Sequence, residues 1–242
     1  IVVNRVKPHT EYDGVIGSGL HKMLAIGVGK WKGAMTVHAY AFRKGYEETI
    51  IEVGEYMIKN LPIICGVGII ENNYGNTARI EAMTADEIPA KERELLIEAK
   101  NMIARLPIEK LDVLVVDEMG KNIIGTGIYT KFIGRFLGYG QKEPDTPDIC
   151  RIVVLGLTEE TKGNAMGVGL ADYITERLRS SIDLKATKVN GFTGFAPEKV
   201  KIPMTLANDR DAISAALLTS GAALEPEQAR LIRVKNTQAV EE

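Results

Sequence analysis

The sequence predicts an α/β protein with two lobes, each built from mostly parallel sheets flanked by helices. Short apolar runs rich in β-branched residues alternate along the 242-residue chain with longer segments whose apolar residues recur at helical spacing. The alternation ends near Pro107 and begins again at Leu111, so we assign residues 1–107 and 108–242 to the two lobes. Alternation of this kind is typical of parallel sheets whose strands are joined by crossover helices.

The first lobe begins with a β-branched strand and continues mainly as helices. A break is expected around Trp31, where Gly29 and Gly33 interrupt the apolar pattern. The last helix is preceded by acidic residues and followed by Pro107, which suit its two ends. The predicted elements are a strand at 1–6, helices at 20–28, 34–42 and 46–60, strands at 62–71 and 78–83, and a helix at 91–105.

The second lobe repeats this pattern and closes with an apolar run that suits a returning strand. Its strands are apolar and β-branched, and longer helical segments separate them. The predicted elements are strands at 111–116 and 151–157, helices at 129–137, 169–180 and 209–219, and a strand at 229–234.

Composition and charge narrow the class of protein. The 30 basic and 32 acidic residues form no long runs, so the chain lacks the electrostatic footprint of a nucleic-acid-binding protein. No apolar segment reaches the roughly 18 residues that a membrane span needs, and no signal peptide is visible. Cys65 and Cys150 lie in apolar runs and are expected to be buried free thiols. These features predict a cytoplasmic protein without nucleic-acid or membrane partners, and they are compatible with a homo-oligomer.

All three histidines lie within the first 38 residues, and Lys22 lies between two of them. Twelve residues separate His9 from Lys22, and fifteen separate Lys22 from His38. Imidazole moves protons near neutral pH and binds borderline-soft metals, and a lysine amine can become a covalent anchor. His21 is about 100° around a helix from Lys22, so we expect it to be structural or exposed to solvent.

Three glycine-rich turns follow predicted strands or open predicted helices, where backbone N–H groups can face an anion. None matches a P-loop or a GxGxxG after a strand. Each alone is typical of a tight turn, but together they favour a ligand site, because open α/β sheets bind ligands at the carboxyl ends of their strands. They are Gly17-Ser18-Gly19, the segment 120–127 with Gly125, Thr126 and Gly127, and the segment 163–169.

The segment KPHTEYDGVIGSGLHKMLAIGVGKWKGAMTVH resembles the nickel-dependent lactate racemase family. Relatives carry a histidine, a glycine-rich Ser-Gly turn leading to a lysine, and then a second histidine. The segments VVDEMGKNIIGTGI, GLTEETKGNAMGVGLADYITERL and KIPMTLANDRDAI resemble a branch of the same family. The resemblance therefore runs over most of the chain, and its most specific part is the histidine–lysine core.

The resemblance implies a racemase or epimerase of a 2-hydroxy acid, with its active site between the two lobes. Lys22 would form a thioamide with a nickel-pincer derivative of nicotinic acid mononucleotide, and the Gly17–Gly19 turn would help to bind this cofactor. His38 would be the protein ligand of nickel, and His9 one of two catalytic bases. Residues 1–107 would then be the remaining part of the cofactor-binding domain.

The chemistry of such a reaction suits these residue types. The substrate alcohol gives a hydride to the cofactor and a proton to a base, and neutral imidazole is a suitable base. The substrate carboxylate needs cationic or N–H partners, and the candidates are Lys121 or Lys131 and the turn Gly125-Thr126-Gly127. We count Lys131 with His9 among the candidate catalytic residues.

The chain also departs from the family pattern. The gap between His9 and Lys22 is about three residues longer than in the lactate racemases, and Lys162 stands where relatives are expected to carry a histidine. The chain starts on apolar, β-branched residues without an initiator Met. We therefore expect that residues preceded Ile1, and that the first catalytic histidine and the arginine segment of the family lie there.

Two other function classes stay open on the sequence. One is an oxidoreductase whose exchangeable nicotinamide cofactor is bound by the glycine turns. The other is a cofactor-free module that binds a ligand on the same scaffold. Nickel content and a covalent adduct on Lys22 would separate the racemase from both.

Overall fold

The computed structural model describes residues 1–10, 12–72, 74–138 and 142–238. The chain divides into two compact units. Unit 1 comprises Ile1–Ile103 together with Thr193–Phe195, and unit 2 comprises Ala104–Phe192 and the chain from Ala196 onwards. The α/β class predicted from the sequence is confirmed, with one sheet in each unit.

In the residues that the structure describes, unit 1 combines a three-stranded mixed sheet with four α-helices. The strands lie in the order β1-β2-β3, with β1 parallel to β2 and β3 antiparallel to β2. The β2–β3 turn is short, and the side chain of Asn72 accepts hydrogen bonds from the N–H groups of Tyr74 and Asn76, which favours a hairpin. The elements are β1 (Val2–Arg5), α1 (Leu20–Lys22), α2 (Lys30–Lys44), α3 (Tyr46–Asn60), β2 (Cys65–Glu71), β3 (Thr77–Thr84) and α4 (Ile88–Asn101).

Two glycines of β2 allow helices to approach the sheet of unit 1 closely. A Cβ at Gly66 would lie 2.8 Å from Leu20 Cδ1, and one at Gly68 would lie 2.6 Å from Leu95 Cδ1. Leu20 and Leu95 are buried in the core cluster of this unit. Since Leu20 opens α1, this packing holds the start of the segment that carries Lys22 against the sheet.

Unit 2 is built on a five-stranded, all-parallel sheet in the order β7-β6-β5-β4-β8. Its core lies between the two long central strands and α8, where valine and leucine side chains meet Ala212 and Ala216. The elements are β4 (Lys110–Met119), α5 (Thr130–Ile133), β5 (Asp148–Leu157), β6 (Tyr173–Thr175), α6 (Glu176–Ser180), α7 (Leu184–Thr193), β7 (Met204–Leu206), α8 (Asp209–Ser220) and β8 (Leu231–Val234).

Several predicted elements are wrong in extent or type. The helix predicted at 169–180 contains the strand β6, and only Glu176–Ser180 is helical. The three residues of β6 are buried and pair with β5 on one side and β7 on the other. A run of three residues is too short to show a hydrophobic periodicity. The helix predicted at 129–137 ends at Ile133, because Gly134 adopts a left-handed conformation. The helix α7 and the strand β7 were not predicted from the sequence.

The break predicted around Trp31 is also shorter than expected. The helix α1 continues as a single π-helical turn, Met23–Gly27, and α2 then begins at Lys30 with Gly33 inside it. Both cysteines are free, as predicted, but Cys65 is only half-buried and Cys150 is exposed. In the part of the chain that the structure describes, no helix combines the length and apolar character needed to cross a membrane.

Candidate functional site

Lys22 and His9 form a close pair in unit 1. Lys22 Nζ lies 3.0 Å from His9 Nε2 and donates a hydrogen bond of 3.2 Å to Ser18 Oγ. The His9 ring is buried, with 4% of its surface exposed, and Lys22 is half-buried. An amine and an imidazole at this distance can exchange a proton directly.

The Gly17–Gly19 turn is held by backbone pairing to the segment before His9. Lys7 and Ser18 exchange two backbone hydrogen bonds of 2.8 Å, so the N–H of Ser18 is used within the fold. A Cβ at Gly17 would lie 2.5 Å from the carbonyl oxygen of Lys7. This pairing brings the chain on either side of the turn together and thereby places His9 beside Lys22. Of the three residues, Ser18 is the one whose side chain contacts Lys22.

The buried side chain of Glu92 contacts the residues that follow the Gly17–Gly19 turn. Glu92 on α4 accepts hydrogen bonds at Oε2 from the backbone N–H of His21, at 3.0 Å, and from His21 Nδ1, at 2.7 Å. Both side chains are almost completely buried. A Cβ at Gly19 would lie 2.0 Å from Glu92 Oε1, and one at Gly54 would lie 2.7 Å from His21 Cδ2, so both glycines leave room for this pair. His21 is therefore structural, with its ring buried against Glu92.

Tyr46 lies near both His9 and His38, and Tyr12 stacks on His9. The ring of Tyr12 stacks on His9 with centroids 4.4 Å apart. The ring of Tyr46 lies 6.1 Å from that of His9 and 6.0 Å from that of His38. These two distances add to 12.1 Å, which is therefore the largest separation of the two histidine ring centres. His9, Lys22 and His38 thus lie together in unit 1.

The surroundings set the protonation of two groups in this cluster, by hydrogen bonding for His38 and by burial for Tyr12. His38 Nδ1 lies 2.7 Å from the carbonyl oxygen of Thr193, which can only accept, so Nδ1 carries the proton and the lone pair is at Nε2. Burial raises the pKa of the Tyr12 phenol well above its usual range, and the carboxylates of Glu47 and Glu92 add to that rise. Tyr12 is therefore neutral at physiological pH.

The other predicted site residues lie in unit 2. Lys121 follows the carboxyl end of β4, and its Nζ donates to Asn190 Oδ1 at 3.1 Å. Burial lowers the pKa of the Lys121 amine. Lys131 is a half-buried residue of α5. In the turn Gly125-Thr126-Gly127, Thr126 Oγ1 donates a hydrogen bond to the carbonyl oxygen of Ile128. The N–H of Gly127 donates to the carbonyl oxygen of Ile124, so both donors are used inside the loop.

The close packing of this turn leads to a testable prediction. Gly127 has a φ of +71°, and a Cβ there would lie 2.4 Å from the carbonyl oxygen of Met166. Gly127→Ala is expected to destabilise unit 2 by about 1–3 kcal/mol, the usual cost of backbone strain of this kind. Urea unfolding measures this change. The matched control is Gly125→Ala, because a Cβ at Gly125 meets nothing within 4 Å, and its effect should stay below about 0.5 kcal/mol. Equal effects of the two substitutions would contradict the prediction.

Three residues of the unit 1 site were missed from the sequence: Tyr12, Tyr46 and Glu92. The signal for Glu92 was present, because it shares the apolar stripe of its helix with Leu95, Leu96 and Ala99. An acidic residue on a buried stripe needs a partner. Nothing in the sequence pattern marked the two tyrosines.

Comparisons with known proteins leave the site to be interpreted on its own geometry. No family model, curated protein or solved structure matches the chain. Among the described residues, no group of three or more His, Cys, Asp or Glu side chains is arranged to hold a metal ion.

Proposed function

We propose that the chain belongs to a racemase or epimerase of 2-hydroxy acids, with a nickel-pincer nucleotide attached to Lys22. The observation that carries this proposal is the pairing of Lys22 Nζ with His9 Nε2 at 3.0 Å, beside the tyrosine that also contacts His38. A covalent anchor, a proton acceptor and a metal ligand are three of the groups that this chemistry needs from the protein.

The residues of unit 1 fit the implied cofactor. Lys22 offers a primary amine at a half-buried position. His38 has its lone pair at Nε2, because the Thr193 carbonyl occupies Nδ1, and this arrangement is common for histidine ligands of metals. A single imidazole suits a metal whose other donors belong to the cofactor. When bound, the cofactor would supply the centre that accepts and returns a hydride.

His9 is suited to the proton transfer of the reaction. Its ring is buried and stacked on Tyr12, which limits rotation of the imidazole. A neutral imidazole can accept the hydroxyl proton of a 2-hydroxy acid while the hydride leaves the adjacent carbon, and it can return the proton afterwards. Lys121 and Lys131 stay candidates for binding the substrate carboxylate.

The oxidoreductase alternative has less support. It depends on glycine turns that present N–H groups to a free nicotinamide cofactor. The N–H of Ser18 donates to Lys7, and that of Gly127 donates to Ile124. These two turns therefore use those donors within the fold.

Intact mass and elemental analysis test the proposal. The protein, purified from cells that make the cofactor, should carry one nucleotide adduct on Lys22 and about one equivalent of nickel. The full-length protein should also interconvert the enantiomers of a 2-hydroxy acid in a chiral chromatography assay. Unmodified Lys22 with no nickel in such a preparation would overturn the proposal.

Nickel retention provides a separate prediction for His38. His38→Gln should lower the bound nickel by more than about tenfold, since loss of even an outer partner of a metal ligand costs 10–100-fold. The adduct on Lys22 should remain. Tyr40→Phe, at an exposed position of the same helix, is the control and should retain nickel. Full nickel content in His38→Gln would show that another group binds the metal.

A further inference from the structure

We propose that His9 has a second role: it accepts the proton that Lys22 loses when its amine is acylated. The step makes Lys22 a self-activated site for an activated acyl group, such as an ester or a thioester. The natural acyl donor rests on the proposed function, whereas the reactivity of the amine depends only on residues of unit 1.

The geometry of the pair supports proton transfer in this direction. A charged lysine has donors and no acceptor, so the contact of 3.0 Å requires the lone pair of His9 Nε2 to face Lys22 Nζ. The stacked Tyr12 ring, inclined by 18° to the imidazole, keeps Nε2 in that direction. Because the His9 ring is buried, water competes little for this lone pair.

The step balances without an oxidant or reductant. The uncharged amine nitrogen of Lys22 attacks the acyl carbon, and a C–N bond forms while the carbonyl π electrons move to oxygen. The nitrogen, now positively charged, becomes far more acidic than a free ammonium, and its proton passes to His9 Nε2. The oxygen lone pair then re-forms the C=O double bond as the bond from the acyl carbon to the leaving group breaks. The leaving group departs with the electron pair and takes the proton from the imidazolium.

His9 cannot act by simply deprotonating the resting ammonium, because an ordinary lysine amine is a much stronger base than imidazole. His9 instead stabilises the transition state, in which the C–N bond has begun to form and the amine proton has become acidic. General-base assistance of this kind typically contributes about 10²–10⁴-fold to a rate. Ser18 Oγ, which also accepts a hydrogen bond from Lys22 Nζ, orients the amine but is too weak a base to replace His9.

Acetylation by p-nitrophenyl acetate tests the proposal without nickel or cofactor. The full chain is treated between pH 6 and 9, and peptide mass spectrometry follows acetylation of Lys22 against the exposed Lys32 as internal standard. Lys22 should react faster than Lys32, and its excess rate should rise as imidazole loses its proton. His9→Gln and His9→Phe should each lower the Lys22 rate by about 10²-fold or more and remove that pH dependence. The phenylalanine keeps an aromatic ring against Tyr12, and thermal unfolding checks that both variants are folded.

Tyr40→Phe is the control, since Tyr40 is an exposed residue of α2 and the substitution leaves His9, Ser18 and Lys22 in place. It should change the acetylation rate of Lys22 by less than about twofold, as expected for a surface substitution away from the reacting groups. Wild-type reactivity of Lys22 in both His9 variants would overturn the proposal, as would equal rates for Lys22 and Lys32 in the wild type. The protein purified from cofactor-producing cells could carry neither nickel nor an adduct, while the acetylation rate of Lys22 still depends on His9. That result would refute the proposed racemase function and leave the role of His9 in acylation intact.

Discussion

Replacement of Lys22 with arginine in the full-length protein is expected to abolish both the covalent adduct and the proposed racemase activity. Arginine keeps the positive charge and can still donate hydrogen bonds to His9 and Ser18, so the local structure should persist. A guanidinium stays protonated and is not a nucleophile, so no bond to an acyl group can form. The variant should therefore have the mass of the unmodified chain and no turnover above background.

Mass spectrometry and chiral chromatography on protein purified from the same cells measure the two losses. Lys32→Arg is the control, because Lys32 is an exposed residue ten positions further along the chain. It should keep full adduct and activity. An adduct that persists in Lys22→Arg would assign the anchor to another residue and would remove the main support for the proposed function.

The largest effect on stability is expected from Glu92→Ala. The substitution leaves the backbone N–H and the imidazole of His21 buried without their acceptor. Removal of one partner from a buried pair typically costs about 3–5 kcal/mol, so unit 1 should unfold at a clearly lower urea concentration. Glu92→Gln keeps an acceptor oxygen and should cost less, about 1–3 kcal/mol.

The control for this prediction lies on the same helix. Glu94 is exposed, and Glu94→Ala should change stability by less than about 0.5 kcal/mol. Because the carboxylate of Glu92 holds the residue next to Lys22, its loss should also slow the acetylation of Lys22 in molecules that remain folded. Equal stabilities of Glu92→Ala and Glu94→Ala would show that the buried pair contributes little to the fold.

Local periodicity was enough to predict the elements that have a clear amphipathic or apolar pattern. The helix α3 has the predicted bounds, Tyr46–Asn60, and the helix α8 and the strand β8 lie where they were expected. In each case neighbouring residues carry the signal, because burial of one helical face or of one strand repeats at a fixed spacing. The strand β6 is too short to show a repeat, so its place between β5 and β7 became evident only from pairing.

For the candidate site, too, the sequence indicated which residues matter, whereas the tertiary structure determined which of them are in contact. Residue type and spacing marked His9, Lys22 and His38, but not how close they lie. The pairing of Lys7 with Ser18 brings His9 to Lys22 across 13 positions of the chain, and Glu92 reaches His21 across 71. Contacts between such distant residues depend on how helices and strands pack, and no local pattern encodes that packing. The residue types of the cluster were therefore evident from the chain, whereas the contact of Lys22 Nζ with His9 Nε2 is a property of the tertiary structure.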